Sequence, residues 1–136
     1  MTFTPYLHFQ GTCADAMEFY AGIFGAKDLT LMRYSEAPAE AGPITPSNRV
    51  MHAQLVLPGG AILMGSDFPD GVPGEPQAAV SISHAVPNVE AGAKLFDRLV
   101  KGGTPVMPFG PTFWSPGFGM LKDRFGTHWM LGVWTG

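Results

Sequence analysis

The chain has 136 residues, a size that suits one domain with one sizeable core, and eight Lys and Arg against eleven Asp and Glu leave a net charge of −3. Nucleic-acid binding through a basic surface is therefore excluded, because such proteins carry the opposite balance. Gly (18) and Pro (13) together exceed a fifth of the chain while apolar residues make up 46%, which predicts short elements joined by tight turns in a sheet-rich fold, not disorder.

The first half of the chain predicts one strand, one helix and three further strands. The strand is Tyr6–Phe9. From Cys13 the apolar residues recur at the three- and four-residue spacing of a buried helix face. Thr12 stands at the N-cap position of that helix and Gly25 at its end. Three strand candidates follow, at 29–34, 50–57 and 61–65.

The second half repeats this order. A strand at 80–86 precedes a helix that begins after Asn88 as its cap and ends at Gly102-Gly103. Asn88 follows Thr12 by 76 positions and Gly102 follows Gly25 by 77, so the two helices begin and end in like register. Three strand candidates again follow, at 105–108, 113–121 and 127–134.

Two equivalent β-α-β-β-β modules predict an internal duplication, with repeat 1–66 and repeat 78–134 joined by a linker at 67–77 that is rich in Pro and Gly. One helix covers one face of a four-stranded sheet, so the other face must meet a second module or a second subunit. We therefore expect an α+β fold whose modules form a curved mixed sheet with a cleft for a small ligand. The loop 35–49 is predicted to be mobile or to cover part of the fold.

Several classes of protein are excluded by what the sequence lacks. A single cysteine, Cys13, rules out an internal disulfide and a thiolate zinc cluster. Its thiol opens a helix, where a pKa can fall, but the helical pattern places it on the buried stripe as a small core residue. No run approaches the roughly 18 apolar residues of a membrane span, and no signal peptide is visible. We expect a cytoplasmic protein with no membrane and no nucleic-acid partner.

Five dispersed motifs, in order, resemble those of one family: Thr4-Pro5-Tyr6-Leu7, Met51-His52-Ala53, Leu63-Met64-Gly65-Ser66-Asp67, Thr112-Phe113-Trp114 and Lys122-Asp123-Arg124-Phe125-Gly126. The chain resembles the vicinal oxygen chelate superfamily of glyoxalase I, bleomycin-resistance proteins and extradiol dioxygenases. Within it, the PhnB-like branch, labelled 3-demethylubiquinone-9 3-methyltransferase-like, is the most similar. The resemblance implies two modules per chain and a homodimer, and it leaves the activity open because this fold hosts several chemistries.

The resemblance also implies a divalent metal held by His and Glu side chains from the first and last strands of each module. In this sequence the four ligand positions fall on Pro5, Met64, Ser81 and Met130. None is a good ligand for zinc, nickel, iron or magnesium, so we predict a cleft without a metal or other cofactor. The alternative is a lyase, isomerase or dioxygenase with a metal near His8 or His52.

A methyltransferase activity is not expected from this chain. A nucleotide-type methyl donor needs a Gly-rich turn between a strand and a helix, within a longer alternating sheet. The first such turn here, Gln10-Gly11-Thr12, has one glycine. Walker and nucleophile-elbow motifs are also missing.

The four histidines allow structural and functional interpretations. His8 suits a packed or hydrogen-bonded strand position, with a ligand role as the alternative. His52 is the better functional candidate, with an orienting role at a dimer interface as its alternative. His84 is expected to face away from Ser81 and Ser83, and His128 to lie at the surface.

Polar and aromatic residues together predict a pocket for a small, partly apolar or aromatic molecule. Ser81 and Ser83 share one strand face, where hydroxyls favour a wet pocket. Asp67 beside Ser66 suits either a turn or a polar rim, and aromatic rings stack on flat ligands or pack in a core. The candidate ligand-binding residues are His8, His52, Met64, Ser66, Asp67, Ser81, Ser83, Phe113, Trp114 and Trp129.

No catalytic residue is assigned by the sequence. The favoured interpretation is a binding module that holds a small molecule, as bleomycin-resistance proteins do. A metal-dependent enzyme is the second interpretation. A structural subunit whose cleft is filled by its own side chains is the third.

Overall fold

Two units of equal topology make up the chain, Met1–Pro76 and Gln77–Gly136. The computed structural model describes residues 2–37 and 47–134. Most of the loop predicted at 35–49 therefore lies outside the described residues.

The first unit contains one helix and a four-stranded mixed sheet. Its strand order is β1-β4-β3-β2, and β1 pairs with β4 in parallel while the other pairs are antiparallel. A short 3-10 turn, Tyr34–Glu36, follows β2. The elements are β1 (Tyr6–Phe9), α1 (Cys13–Phe24), β2 (Asp28–Arg33), β3 (Val50–Val56) and β4 (Ile62–Asp67).

The second unit repeats that arrangement. Its strand order is β5-β8-β7-β6, again with the first and last strands parallel and the others antiparallel. The duplication of an α+β module is thereby confirmed. The elements are β5 (Ser81–Ala85), α2 (Val89–Leu99), β6 (Thr104–Gly110), β7 (Phe118–Lys122) and β8 (His128–Gly132).

Each helix covers one face of its own sheet. In the first unit α1 lies on β2, β3 and β4 and in the second α2 lies on β6, β7 and β8. Burial of a large apolar side chain contributes roughly 1.5–3 kcal/mol, so this layer holds each unit together. The α1 stripe is Cys13, Ala16, Met17 and Tyr20, and the α2 stripe contains Phe96 and Leu99.

Because side chains alternate along a strand, the residues between the buried ones point away from the helix. In β1, Leu7 and Phe9 are buried while Tyr6 and His8 are exposed. Ser81 and Ser83 are likewise exposed in β5. Each unit therefore has an open sheet face, and neither described helix has the length and apolarity needed to cross a membrane.

Thr12 is the N-cap residue of α1, as predicted, and its carbonyl accepts the Ala16 N–H, but its side chain makes no capping bond. The side-chain acceptor at this helix start is Asp67 at the end of β4, whose Oδ1 accepts the N–H groups of Gly11 (2.8 Å) and Cys13 (2.9 Å). The end of α1 and the cap of α2 are confirmed, since Gly25 adopts the left-handed conformation with φ 63° and the Asn88 side chain accepts the Ala91 N–H. The predicted end of α2 at Gly102-Gly103 is too late, because the helix ends at Leu99 with Val100 as its C-cap and a turn follows.

The predicted strand 113–121 is wrong at its beginning, because β7 begins at Phe118. Ser115 holds the preceding residues in a loop. Its hydroxyl lies within hydrogen-bonding distance of the carbonyls of Gly117 (2.8 Å) and Val133 (2.6 Å) and donates to one of them at a time. Its own carbonyl accepts the Thr112 N–H. The backbone between Thr112 and Gly117 is therefore held through Ser115 and does not join the sheet.

Candidate functional site

A row of polar side chains crosses three strands on the open face of the first sheet. His8 on β1 lies opposite Ser66 on β4. The antiparallel register of β3 and β4 pairs Ala53 with Gly65, and continuing it by one residue places His52 on the other side of Ser66. The two histidines and the serine therefore share one row and one face of the sheet.

Four rings lie together over this row, those of Tyr6, His8, His52 and Phe68, and we call them the ring platform. Ring centroids are 5.1 Å apart for Tyr6 and His8 and 5.7 Å apart for Tyr6 and His52. The His8 and Phe68 rings are stacked, with centroids 5.4 Å apart and planes inclined by 23°. These spacings fall within the range of favourable aromatic contacts.

The ring platform is open to solvent above and closed below. The Tyr6 side chain is 40% exposed and Ser66 is 8% exposed, while Met64, opposite Tyr6, is partly exposed. One directional bond orders the rings, because Tyr6 Oη and His52 Nδ1 are 3.0 Å apart. The result is a broad, flat, partly apolar surface with hydrogen-bonding groups.

Asp67, a predicted rim residue, is 2% exposed and is used by the fold. Besides the two N–H groups at the start of α1, its carboxylate accepts the Val50 N–H at 2.9 Å through Oδ2. It therefore fastens the β1–α1 turn and the start of β3 to the end of β4. The backbone carbonyl of the same residue accepts the Tyr34 hydroxyl at 2.9 Å.

Burial and the nearby Asp67 carboxylate raise the pKa values of two neighbouring side chains. Burial, followed by the charge of Asp67, raises the pKa of the Cys13 thiol to about 12. Burial and then Asp67 also raise the pKa of Tyr34. Cys13 is therefore a neutral core thiol, as its place on the buried stripe predicted, and it has no nucleophilic character at neutral pH.

In the second unit, the structure separates the predicted site residues into exposed and buried ones. Ser81 and Ser83 are exposed on β5, opposite His128 and Met130 of β8. Trp129 is 3% exposed, and its Nε1–H donates to Asp123 Oδ2 at 2.8 Å. This tryptophan therefore belongs to the core, the alternative that its sequence position allowed.

The loop before β7 carries exposed aromatic rings. Phe113 is 97% exposed and meets Trp114 edge-on at 4.7 Å between ring centroids. The Trp114 ring contacts Phe118, with centroids 5.3 Å apart, and the Phe118 ring contacts Trp134, with centroids 6.0 Å apart. Phe113 and Trp114 thus form a second aromatic surface, on the second unit.

A polar cleft of about 440 Å³ also lies in the first unit, near the start of α1. It is lined by two arginines and two aspartates, with polar and small residues between them. Arg49 bonds Asp70 at 3.0 Å and donates to the Phe68 carbonyl at 2.9 Å. The cleft is thus balanced in charge, and Arg49 helps to hold the Phe68 segment. The lining residues are Gly11, Ala14, Asp15, Arg33, Ser47, Asn48, Arg49 and Asp70.

The side chains at the metal-ligand positions do not suit a divalent metal. The Pro5 nitrogen is an amide, and its carbonyl already accepts the Met64 N–H at 3.1 Å. Thioethers are ligands for soft metals, and a hydroxyl is a weak ligand. The strand pairing also corrects two of the predicted positions, because Tyr6 and not Pro5 lies opposite Met64, and Ser83 and not Ser81 lies opposite Met130. Within 2–37 and 47–134, no three His, Cys, Asp or Glu residues are grouped to hold a metal.

Residues 1–132 match the sequence profile of the family described as 3-demethylubiquinone-9 3-methyltransferase. The chain belongs to this family. It is the PhnB-like branch of the vicinal oxygen chelate superfamily. The predictions of family and fold class are therefore confirmed.

Three relatives show how far this likeness extends. Protein YjdN of Escherichia coli (strain K12) is 32% identical over 142 residues, which cover 98% of this chain and 95% of that protein. The crystal structure of PA1353 from Pseudomonas aeruginosa is 36% identical, with a TM-score of 0.90 over 100% of this chain and 99% of that one. A PhnB protein from Bacillus cereus is 27% identical, with a TM-score of 0.71 over 98% and 99% of the two chains.

A more distant structure shows the fold alone. The glyoxylase/bleomycin resistance protein/dioxygenase domain from Frankia sp. EAN1pec is 17% identical, with a TM-score of 0.68 over 99% of this chain and 98% of that one.

The structure brings His8, His52, Met64 and Ser66 together and adds two rings that were not among the predicted binding residues. Tyr6 had a usable signal, because it lies two positions before His8 in a short alternating strand and so shares its face. Phe68 had none, since its place depends on stacking with His8 and on the hydrogen bond from Arg49.

Proposed function

We propose that this PhnB-like protein binds a small, planar, partly aromatic molecule on the ring platform without using a metal. The observation that carries the proposal is the set of four rings on an open sheet face, ordered by the Tyr6–His52 hydrogen bond. Each stacking contact contributes about 0.5–1.5 kcal/mol beyond area burial. The imidazole and phenol groups add hydrogen bonds that orient the ligand. His8, His52, Met64 and Ser66 are the predicted residues that contribute.

Two features favour binding over the methyl transfer in the family's description. A nucleotide-type methyl donor would be held by backbone N–H groups at the first strand-to-helix turn. Here the Gly11 and Cys13 N–H groups are bonded to Asp67. The side chains at the metal-ligand positions, considered above, likewise support a function that does not depend on a divalent ion.

A homodimer is part of this proposal. Each helix covers one face of its sheet, so the open face of each unit retains exposed apolar groups such as Met32 and Met107. A second copy of the chain would cover such faces and deepen the surface around a ligand. Light scattering should give twice the chain mass at micromolar concentration, and a monomer would contradict this part.

The binding proposal is tested by titrating the isotope-labelled protein with nitrobenzene, a flat uncharged probe, and following backbone amide shifts by NMR. Saturable shifts are expected at Leu7, His52 and Ser66. Tyr6→Ala should weaken binding by roughly 2- to 10-fold, which corresponds to one lost ring contact.

Phe3→Ala is the matched control, because Phe3 is a fully exposed aromatic residue in the same unit, outside the sheet. It should leave the affinity unchanged. Shifts confined to the second unit, or no saturation at millimolar nitrobenzene, would overturn the proposal.

A further inference from the structure

The Tyr6–His52 hydrogen bond can run in either direction. With a neutral imidazole whose Nδ1 is bare, the tyrosine hydroxyl donates to His52. With a proton on Nδ1, His52 donates to Oη, and the tyrosine O–H is then free for a ligand above the ring platform. The 3.0 Å separation of Tyr6 Oη and His52 Nδ1 suits a hydrogen bond in either direction without a change in the heavy-atom positions.

We propose that the ring platform is a proton-linked site for hydroxyarenes, that is, flat aromatic ligands with an acidic ring hydroxyl. This rests on the proposed function and names its ligand class. The ligand ring stacks beside His8 and Phe68, whose own rings are nearly parallel, and its hydroxyl meets Tyr6 Oη. Tyr6 is 40% exposed, so the oxygen is accessible.

The proton transfer balances without any other reactant. The ligand O–H bond breaks and its proton moves to Tyr6 Oη as the tyrosine's own proton moves to His52 Nδ1. The products are a ligand phenolate that accepts a hydrogen bond from Tyr6 and an imidazolium at His52. Net charge is unchanged, and the new opposite charges attract each other across the Tyr6 hydroxyl.

The surroundings of the pair do not oppose an anion in this position. The His8 ring also lies against Tyr6, with ring centroids 5.1 Å apart, and an imidazole side chain carries no negative charge. On β4, the Asp67 carboxylate is occupied by three backbone N–H groups. Tyr34, after β2, donates to the Asp67 carbonyl.

The charged residues at the adjoining strand ends are also accounted for. Arg33 ends β2 and donates to the Asn48 carbonyl. Arg49 precedes β3 and pairs with Asp70.

The test compares 4-nitrophenol, whose phenolate is yellow and whose phenol is nearly colourless, with nitrobenzene, which has no hydroxyl. Below the pH at which free 4-nitrophenol ionises, adding protein should increase the phenolate absorbance. The apparent pKa of bound 4-nitrophenol should be about one unit lower than that of the free ligand, which is a tenfold change in its ionisation constant. Affinity for nitrobenzene should not vary with pH over the same range.

Two variants separate the proton transfer from stacking. Tyr6→Phe keeps the ring and should bind nitrobenzene within about twofold of the parent while losing the phenolate gain. His52→Gln keeps a hydrogen-bonding side chain that cannot take up the proton, and should also lose the phenolate gain. Because it removes one ring of the platform, it should weaken nitrobenzene binding by roughly 2- to 10-fold. His128→Gln, in the second unit, is the control and should change neither readout.

The outcomes distinguish the two proposals. If neither probe binds the ring platform, the proposed function fails. If nitrobenzene binds and 4-nitrophenol binds with no gain of phenolate, or with a gain that Tyr6→Phe retains, proton linkage alone is overturned. Thermal unfolding of each variant shows that it is folded, and the conservative Tyr6→Phe variant decides the question if His52→Gln does not fold.

Discussion

Removing the Asp67 carboxylate should strongly destabilise the first unit. Its oxygens accept three backbone N–H groups, from Gly11, Cys13 and Val50, at 2.8–2.9 Å. A hydrogen bond to a charged group contributes about 1.5–3 kcal/mol, and a buried donor left without a partner costs about 1–3 kcal/mol. Because water can reach the part-buried Gly11 N–H, we expect Asp67→Ala to lower the free energy of unfolding by about 3–5 kcal/mol.

The assay is urea unfolding at neutral pH followed by circular dichroism. A loss of this size is a large fraction of a typical 5–15 kcal/mol stability, so the midpoint should move far beyond error. Asp67→Asn should be intermediate, since one amide oxygen still accepts the N–H groups at the start of α1 while the NH₂ group faces the Val50 N–H.

Asp70→Ala is the matched control. It removes a neighbouring carboxylate whose only described bond is an exposed ion pair with Arg49, and such pairs contribute about 0–1 kcal/mol. A loss below about 1 kcal/mol for Asp67→Ala, or equal losses for the two variants, would refute the role assigned to Asp67.

Three further predictions concern a histidine, the cysteine and the metal content. Burial lowers the pKa of His84, so as the pH falls the unfolded chain takes up this proton before the folded chain does, and stability should decline below about pH 6.5. His84→Gln should reduce the dependence of the urea midpoint on pH in that range, and an unchanged dependence would contradict this. Cys13, with its pKa raised to about 12, should resist a thiol-specific disulfide reagent until urea unfolds the chain, whereas rapid labelling of the native protein would show it to be accessible. Elemental analysis of the purified protein should find no stoichiometric divalent metal, because Pro5, Met64 and Met130 are poor ligands; about one zinc, nickel, iron or manganese per chain would be the opposite result.

Periodicity was sufficient to predict most of the fold. Both helices show their apolar spacing and end signals locally, and the repeated order of elements along the chain is enough to indicate the duplication. The errors arise where a distant residue decides the local structure. The start of α1 is bonded by Asp67, 54 positions after Cys13, and the loop before β7 by the carbonyl of Val133, 18 positions after Ser115.

The site was predictable only in part, for the same physical reason. His8, His52 and Ser66 were each candidates, yet their common row depends on strand order and register, which single-residue patterns do not contain. The hydrogen bond between Tyr6 and His52 spans 46 positions and passes over β4. The sequence therefore identifies the candidate side chains, and the pairing of β1, β4 and β3 determines which of them lie in contact.

If the ring platform binds its ligand without a metal, affinity should not depend on a divalent ion. This is tested by the amide-shift titration with nitrobenzene on chelator-treated protein, repeated after adding zinc. We expect saturable shifts around Tyr6, His8 and His52, with equal affinity in both samples. Binding that appears only after zinc is added would contradict it.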